Sequence, residues 1–589
     1  MLTRKAIFLM FTQIFILFCV IAAHAQLPPV FESGRSYQKD AEIRDYMAPT
    51  RIVWESKNGI VNASSLLKRG NGQADLTNNG LCVLKSTSSS KPSIILDFGR
   101  ELHGGLQLVT GMMKKNRAVK VRLRFGESVS ETMSEIDTIK GATNDHAMRD
   151  FEIKLPWLGK LEVGNTGFRF VKIDLLDDNT ELLLKEVRAV FTFRDIPYLG
   201  SFKCNDELLN KIWITGAYTV HLNMQDYLWD GIKRDRLVWI GDMHPETSTI
   251  SCVFGNNEVV PKSLDLSRDI TPLPKWMNGL SSYSMWWVII HRDWYYNHGD
   301  LSYLKQQKAY LSQLLPLICA KIDSNNSEAL DARFLDWPSS ENPKGIHAGL
   351  QALMVLSLTA GADLCRILKD PATEKLCIET VKRLKQNVPE INNSKQAAAL
   401  LTLAGMVSPE TANREVIGIG GAENFSTFYG YYMLKAKAMA GDYKGSLDNI
   451  RQYWGAMLNL GATTFWEDFN LKWLPNAARI DEMVPPGKID IHGDYGAYCY
   501  KGFRHSLCHG WASGPTPWLT EFILGVKVIE PGCKVVKISP HLGDLQFAEG
   551  TFPTPYGIIK IKHTKMANGK VISQISAPKE IKIIRESQN

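Results

Sequence analysis

The spacing of hydrophobic residues changes twice along this chain of 589 residues, and these changes limit the folds available to it. From about residue 90 to 198 apolar and polar residues alternate, as in Val119–Phe125, which predicts β-strands. From about residue 203 the apolar residues recur at helical spacing, as at Leu304, Leu311, Leu315 and Ile318. From about residue 526 short strand-like runs return. The pattern therefore predicts a multidomain chain with a long helical region between two β regions.

Each region has a predicted architecture. The short strands of residues 90–198 favour an antiparallel β-sandwich. In residues 199–525, a series of helices without a fixed repeat period favours an (α/α) barrel over a solenoid. Residues 526–589 are predicted to form a small C-terminal β domain against the end of the barrel, whereas residues 26–89 are too weakly patterned to assign. The predicted helices lie near 206–224, 345–368, 372–387, 395–406, 424–440 and 444–458.

The first 25 residues have the pattern of a signal peptide. Arg4 and Lys5 precede the largely apolar run Ala6–Ala23, and Ala23-His24-Ala25 offers small residues at the cleavage site. Cleavage there would make Gln26 the first residue of the mature chain. The protein is then expected to be secreted, with the periplasm as its location. An uncleaved anchor helix is the alternative, because the apolar run is long. No later segment is predicted to span a membrane.

Composition excludes several classes of protein. The chain is 44% hydrophobic and 22% charged, which is typical of a globular protein with a core. Its net charge of +7 includes no basic run, so nucleic acid is not a predicted partner. The ten cysteines are widely spaced and form no Cys-x-x-Cys pair, so neither a zinc site nor a redox centre is predicted. Disulfide pairing and oligomeric state stay open.

Residues 229–242 form the densest polar and aromatic segment, called the acidic loop below. It contains Trp229 and Trp239 among cations and the carboxylates of Asp230, Asp235 and Asp242. A solvated loop with salt bridges is the alternative reading, but two large rings suit a sugar site better. Pyranose faces lie on aromatic rings, and sugar hydroxyls meet carboxylates. Neighbouring arginines such as Arg234 are expected to keep Asp230 and Asp242 ionised.

A second candidate segment contains Trp466 and Glu467, after Gly461-Ala462-Thr463-Thr464. An ordinary surface glutamate is the alternative for Glu467. Glycoside hydrolysis needs one protonated acid that gives its proton to the leaving oxygen, and one carboxylate that activates water or attacks the anomeric carbon. Asp235 and Glu467 could supply this pair. The two carboxyl groups would lie about 6.5–9.5 Å apart in an inverting enzyme and about 5–5.5 Å apart in a retaining one.

Other aromatic and polar residues are weaker candidates for substrate binding. Trp287, Asp336 and Trp337 lie in such clusters, with the protein core as the alternative place for each ring. His505 and His509 flank Cys508, and hydrogen bonding to a sugar hydroxyl is favoured over metal binding because no third ligand lies nearby.

At these residues the chain resembles the bacterial α-L-rhamnosidases of glycoside hydrolase family 78. The resemblance covers about residues 90 to 565 and depends on the order of several phrases. Besides the acidic loop, these are Leu96–Gly99, Arg122–Glu127, Gly461–Glu467, Pro540–Asp544 and Thr554–Gly557. The resemblance implies an (α/α)6 barrel, an inverting mechanism and no obligatory cofactor.

The resemblance also implies roles for single residues. Asp230 and Asp242 match carboxylates that bind rhamnose hydroxyls, and Trp239 matches a ring lining the pocket. Glu467 matches the general base, and His509 a late histidine near the sugar. Asp235 stands at the position of the general acid, so these assignments cover the whole predicted reaction.

The chain departs from the family at two places. The family usually has Glu where this chain has Asp235, and a side chain shorter by one methylene moves the proton donor by roughly 1–1.5 Å, which can cost about 100-fold in rate. Members also often have an Asp before Val288-Ile289-Ile290, where this chain reads Met285-Trp286-Trp287. The subsite is therefore altered, and the sugar or the reaction can differ.

The leading hypothesis is a secreted, exo-acting, inverting glycosidase that releases terminal α-L-rhamnose or a related sugar from plant polysaccharide or glycoside. A polysaccharide lyase acting beside a uronic acid is the second hypothesis, and an unsaturated product absorbing in the ultraviolet would identify it. The third is a non-catalytic sugar-binding relative, which would bind sugars without releasing a product.

Overall fold

A computed structural model of the protein describes residues 42–586. The predicted signal peptide, residues 1–25, lies outside the described residues, as do residues 26–41. Residues 44–586 pack as one unit, and the packing discussed below lies within it. Of the unit formed by residues 1–43, only Glu42 and Ile43 are described, at the start of strand β1.

The first β region is built on an antiparallel sheet, called the N-terminal sheet. The path of hydrogen-bonded strands runs β3-β4-β9-β5-β8-β6-β7, and β2 also pairs with β5. The predicted strands at 94–99, 119–125 and 168–173 are confirmed, and the alternating apolar residues of Val119–Phe125 are buried as expected. The strands are β1 (Glu42–Met47), β2 (Arg51–Glu55), β3 (Ile60–Val61), β4 (Cys82–Lys85), β5 (Ser93–Thr110), β6 (Val119–Gly126), β7 (Asp150–Leu155), β8 (Gly159–Leu175) and β9 (Glu181–Arg194).

A helical region follows, and each of the six predicted helical stretches contains a helix. Helices α3 to α5 add to them, in a part of the chain where the periodicity had identified none. The helices are α1 (Val129–Met133, within the first β region), α2 (Glu207–Asn223), α3 (Met243–Val253), α4 (Val259–Asp269), α5 (Ser281–His298), α6 (Leu301–Gln306), α7 (Lys308–Cys319), α8 (Pro343–Leu368), α9 (Pro371–Leu384), α10 (Lys395–Leu403), α11 (Pro409–Ala412), α12 (Gly430–Met439), α13 (Tyr443–Asn459) and α14 (Pro515–Trp518).

Helix α8 is the central element of this region. Within the described residues it is the one helix whose length and apolar composition would allow it to cross a membrane, and 78% of its most apolar window is buried inside the protein. It packs against α5, α7, α9 and α10. Asn342 caps its first turn by accepting a hydrogen bond from the backbone N–H of Gly345 at 2.9 Å. These contacts are those of a core helix.

Two smaller sheets are formed mainly by strands that follow the helices in sequence. The first has the order β10-β15-β16-β17, and the second joins β13, β14 and β18. Strand β10 (Ser201–Cys204) precedes the helical region, yet it pairs with β15 near the end of the chain. The predicted strands at 534–538, 557–562 and 571–575 are confirmed. The strands are β11 (Ala477–Ala478) and β12 (Ile489–Asp490), which pair with each other, then β13 (Val526–Glu530), β14 (Val535–Ile538), β15 (Phe547–Thr554), β16 (Gly557–Lys565), β17 (Val571–Ser576) and β18 (Lys582–Arg585).

Candidate active site

The acidic loop folds back on itself and presents its middle residues as a tight turn. The backbone N–H of Asp230 donates to Leu237 O at 3.0 Å, and the Leu237 N–H donates to Asp230 Oδ1 at 2.9 Å. Between them, Asp235 and Arg236 have φ angles of 55° and 53°. Left-handed backbone is costly for residues other than glycine and is concentrated at functional sites. The loop is therefore held in a conformation that its local sequence does not favour.

Lys233 fixes this loop to the N-terminal sheet. Its buried ammonium lies 2.9 Å from Glu127 and 3.2 Å from Glu131, which follow strand β6. The ammonium also donates to Phe503 O at 2.9 Å and to His505 O at 3.0 Å. Burial acts against the charged lysine, but the two carboxylates outweigh it and raise the pKa of Lys233. The turn thus starts from a rigid, fully paired position.

The same glutamates have the spacing of metal ligands. Oxygens of Glu127 and Glu131 and a ring nitrogen of His492 lie within 4.8 Å of one another. Lys233 already contacts both carboxylates, and the His492 ring engages Ser128 Oγ at 2.7 Å and His505 O at 3.0 Å. The donor atoms are therefore occupied by protein partners, and the group is better described as an ion-pair network.

Glu467 is buried and held as an anion. One oxygen is bound by Arg234 Nη2, and the other accepts a hydrogen bond from the backbone N–H of Ser506 at 3.1 Å. Burial by itself would raise the pKa of Glu467, but Arg234, followed by His509, outweighs burial and lowers it. Glu467 therefore has the charge that a general base requires.

Asp235 contacts the same guanidinium. Its Oδ1 lies 3.6 Å from Arg234 Nη1, while Arg234 Nη2 binds Glu467. The contacting oxygens of the two carboxyl groups therefore lie within roughly 8 Å of each other, an upper limit that includes both the inverting and the retaining separation. The side chain of Asp235 is 18% exposed, against 3% for Glu467. The two residues predicted to be catalytic meet at one arginine, and Asp235 is the more open to solvent.

A charged histidine links the remaining polar groups. His509 lies 2.9 Å from Asp242 Oδ1 through Nε2 and 3.8 Å from Glu467 through Nδ1. Burial acts against the imidazolium, but Glu467 and Asp242 outweigh it and raise the pKa of His509 to about 9. Asp242 also accepts a hydrogen bond from the Tyr283 hydroxyl at 3.2 Å. At neutral pH a cation therefore lies between two of the predicted site carboxylates.

The expectation that arginines keep Asp230 and Asp242 ionised is wrong. Burial raises the pKa of both residues, well above the usual range for Asp230, and Arg234 instead binds Glu467. Both side chains are almost fully buried and are placed at the site by the acidic loop and by the first turn of α3. In its protonated form, either carboxyl can donate a hydrogen bond to a sugar as well as accept one.

Two of the predicted tryptophans lie beside this cluster. Trp239 packs edge-on against Tyr283, with ring centroids 6.1 Å apart. Trp337 packs edge-on against Tyr500 at 6.3 Å, and the Tyr500 ring lies 5.5 Å from the guanidinium carbon of Arg234. Both tryptophans are half-buried. They are placed where an aromatic wall for a pyranose ring would be.

Trp287 and Trp466 are not available to a ligand, which corrects the sequence-based assignment. Trp287 is fully buried in α5, where its indole N–H donates to Leu264 O at 3.2 Å and its ring lies 3.9 Å from that of His291. Trp466 is buried against Phe469, at 5.7 Å. Both rings belong to the core, since each is almost fully buried and packs against other aromatic rings.

Asp336 has a structural role that accounts for all its contacts. It accepts hydrogen bonds from the backbone N–H and hydroxyl of Ser339 at 3.0 and 2.5 Å, from Gln396 at 3.1 Å and from Ser426 at 2.8 Å. It is nearly completely buried, and burial raises its pKa. This carboxyl caps a turn and joins three segments, so its assignment to direct substrate binding is corrected.

Sequence reasoning missed several residues of the site. Trp511 donates from its indole N–H to the backbone oxygen of Glu467 at 2.9 Å, and its ring lies 4.6 Å from His509. Tyr500 and Trp511 flank the two histidines in sequence, and this cluster was a usable signal. His146, which contacts Asp235 from the N-terminal sheet, has no local signal at all.

A cavity of about 770 Å³ lies elsewhere, between the helices and the C-terminal strands. Its lining includes His244, Trp286, Tyr432 and His541, and it includes none of the predicted site residues. Charged groups in it pair with each other, for example Lys435 with Glu521 at 3.0 Å. Volume alone therefore does not identify the chemical site of this protein.

Two family models match the chain. One is described as the bacterial alpha-L-rhamnosidase 6 hairpin glycosidase domain and matches residues 197–404. The other is the glycosyl hydrolase family 78 alpha-rhamnosidase N-terminal domain, which matches residues 75–188. Together they cover strands β4 to β8 of the N-terminal sheet, most of β9, and the acidic loop. The chain belongs to glycoside hydrolase family 78, the family of the bacterial α-L-rhamnosidases.

Individual relatives agree with this assignment. An α-L-rhamnosidase of Alteromonas sp. (strain LOR) is 25% identical over 92% of this chain and 61% of its own length. The family 78 rhamnosidase of Bacillus sp. GL1 has a similar fold, with a TM-score of 0.71 and 21% identity over 89% of this chain and 55% of that one. The rhamnosidase of Klebsiella oxytoca with rhamnose bound has a TM-score of 0.64 and 17% identity over 84% and 98%. The chain thus spans about three fifths of the curated relative.

Proposed function

We propose that this protein is a secreted, exo-acting glycosidase that releases a terminal α-L-rhamnose or a related sugar from plant polysaccharide or glycoside with inversion. The observation that carries the proposal is the single guanidinium of Arg234 that contacts both Asp235 and Glu467. Family membership and the name of the Alteromonas relative support the choice of sugar. The helical region is proposed to close as an (α/α)6 barrel around this site.

Each carboxyl group has a defined part in the proposed reaction. Asp235 gives a proton to the glycosidic oxygen as the bond from that oxygen to the anomeric carbon breaks. Glu467 takes a proton from a water molecule whose oxygen bonds to the same carbon from the opposite face. Arg234 stabilises Glu467 before the reaction and the new Asp235 carboxylate after it, because it contacts both. Since both acid and base are side chains of this chain, the proposed reaction proceeds without a cofactor.

The hydroxyl groups of the sugar are proposed to meet Asp230, Asp242 and His509. His509 is a donor at neutral pH, because its pKa is raised to about 9 by Glu467 and Asp242 against the effect of burial. Trp239 and Trp337 supply the apolar faces for the ring. The short acid at position 235 and the absence of an Asp among Met285-Trp286-Trp287 favour a sugar or aglycone related to, rather than identical with, the usual rhamnoside.

The roles of the two carboxyl groups are tested with Asp235→Asn and Glu467→Gln. Asn is tolerated in left-handed backbone, so the first change preserves the turn. Each variant is expected to lose about 100-fold or more in kcat/KM on methyl α-L-rhamnoside, while its thermal midpoint stays within a few degrees of wild type. Glu390→Gln, in an exposed ion pair with Lys344, is the matched control.

The same assay separates the proposal from other functions. Proton NMR of the first product distinguishes inversion from retention, since the β-anomer appears first when an α-linkage is inverted. An ultraviolet-absorbing unsaturated product would replace the proposal by a lyase reaction. Sugar binding without turnover across rhamnosides, fucosides and uronic-acid-capped oligosaccharides would replace it by a binding function. Full activity in either variant would remove that residue from the reaction.

A further inference from the structure

His146 reaches Asp235 from a different part of the molecule. It lies in the loop before β7 of the N-terminal sheet, 89 residues from Asp235 in sequence. Its Nδ1 lies 3.3 Å from Asp235 Oδ1 and 3.3 Å from the backbone nitrogen of Asp235. Arg236 holds the same loop by donating to His146 O at 3.1 Å. The contact is therefore built from both backbone and side chain.

This contact places Nδ1 of His146 against both the backbone N–H and the carboxyl of Asp235. The backbone N–H of Asp235 points at Nδ1, which must offer its lone pair there to accept it. A lone pair facing a carboxyl oxygen is favourable when the carboxyl carries a proton. A protonated Nδ1, as in an imidazolium, is favourable when it faces an ionised carboxylate. Both favourable arrangements place one proton between the ring nitrogen and the carboxyl.

His146 also has a route to solvent. Its side chain is 26% exposed, and its Nε2 lies 3.5 Å from the half-exposed carboxylate of Asp145. A cavity of about 20 Å³, the size of one water molecule, is lined by His146, Asp145, Arg234 and Arg504. The ring is therefore open to solvent at one edge while Nδ1 faces Asp235.

The charges around His146 bias the ring toward its neutral form. Burial lowers the pKa of His146, Asp235 and Asp145 oppose this effect, and Arg234 and Arg504 add to it. The balance changes when Asp235 gives up its proton, because a new negative charge then lies 3.3 Å from Nδ1. The affinity of the ring for a proton rises at that step of the reaction.

We propose that His146 is a positioning and proton-relay residue that holds the proton of Asp235 in place and replaces it after each turnover. The inference rests on the proposed hydrolysis. In each cycle Asp235 loses one proton to the leaving oxygen and Glu467 gains one from water. The neutral His146 ring, with its own proton on Nε2, then takes a proton from solvent at Nδ1 and passes that proton to Asp235, while Glu467 releases its proton to solvent. The net reaction adds one water across the glycosidic bond.

The dependence of the rate on the leaving group tests this role. A dinitrophenolate leaves without protonation, whereas an alkoxide needs a proton from the acid. In His146→Asn, kcat/KM for methyl α-L-rhamnoside is expected to fall about 100-fold, and kcat/KM for the 2,4-dinitrophenyl rhamnoside less than about threefold. The variant His347→Asn is the matched control, because His347 is 33% exposed and pairs with Glu328 through Nδ1 at 2.6 Å.

Three outcomes are informative. A selective loss on the methyl glycoside supports the relay. An equal loss on both substrates would show that His146 only maintains the shape of the loop, and no loss on either would overturn any role. Asp235→Asn separates this inference from the proposed function: it must show the same selectivity if Asp235 is the acid. If Asp235→Asn loses activity selectively on the methyl glycoside and His146→Asn does not, the relay alone is rejected. If neither variant shows this selectivity, the assignment of Asp235 as the acid is rejected.

Discussion

Replacing Glu246 by Gln is expected to stabilise the protein relative to wild type. The gain in the free energy of unfolding should be larger at neutral pH than at acid pH. Glu246 lies one turn after Asp242 in helix α3 and is fully buried. Neither of its oxygens has a hydrogen-bond partner of normal geometry among the described residues. Burial, reinforced by Asp242 and Asp230, raises its pKa well above the usual range, and the nearby Asn223 side chain only partly opposes this. Gln has the same shape and cannot ionise.

The magnitude follows from proton linkage. In the unfolded chain Glu246 loses its proton near pH 4.3, while the folded protein keeps it. The stability associated with a raised pKa is fully present below the unfolded value and is lost as the pH rises toward the folded one. Between these limits the free energy of unfolding falls by about 1.4 kcal/mol for each pH unit. Over the part of the range from pH 5 to pH 7 that lies below the raised pKa of Glu246, the wild type therefore loses about 1.4 kcal/mol per pH unit that the Glu246→Gln variant does not lose.

Differential scanning calorimetry at pH 5, 6 and 7 measures this difference. The midpoint of the Glu246→Gln variant, relative to wild type, should increase by a few degrees over this range. Glu390→Gln is the control, since Glu390 is 66% exposed and should give the same difference at every pH. A constant difference for Glu246→Gln, or a variant less stable than wild type at pH 7, would mean that Glu246 is ionised and paired, contrary to the argument.

Three further predictions concern the loop, the histidine and the tryptophans. Lys233→Met removes the cation shared by two buried glutamates and should cost about 3–5 kcal/mol of stability, measured as a lower midpoint. An unchanged midpoint would show that the network is dispensable. The pKa of His509, raised to about 9, is above its unfolded value, so wild-type stability should fall as the pH rises from about 6.5 through 9, and His509→Gln should remove this fall. Trp287→Ala should lower the thermal midpoint without changing KM, and Trp337→Ala should raise KM at a nearly constant midpoint. The reverse pattern would mean that Trp287 belongs to the site and Trp337 to the core.

The helices and strands with one covered face were predictable from the sequence. Stretches such as 372–387 alternate apolar and polar residues at a helical period, because one face packs and the other meets water. Helices α3 and α5 carry no such signal, since nearly every residue of α3 is buried and α5 has no polar stripe. A helix that is covered on all sides has no periodicity to detect, so these helices were missed.

The site could be predicted only in part, for a related reason. The acidic loop and Glu467 were identified because charges beside tryptophans are uncommon on free loops. Trp287 was misassigned because an aromatic pair looks the same in a core as in a sugar site. His146 and Glu246 could not be found, because a contact across 89 residues and the isolation of a buried carboxyl are properties of the folded chain.

The pairing of β10 with β15 affects how the chain can fold during synthesis. Ser201 lies beside Thr551 in that pair, so a strand made before the helices waits for a partner made some 350 residues later. Contacts so distant in sequence are slow to form and leave an unpaired edge exposed in the meantime. A ribosome that stalls anywhere in the helical region would therefore hold a chain in which the edge of β10 is unpaired and prone to aggregation. Such nascent chains should depend on chaperones until β15 has been synthesised.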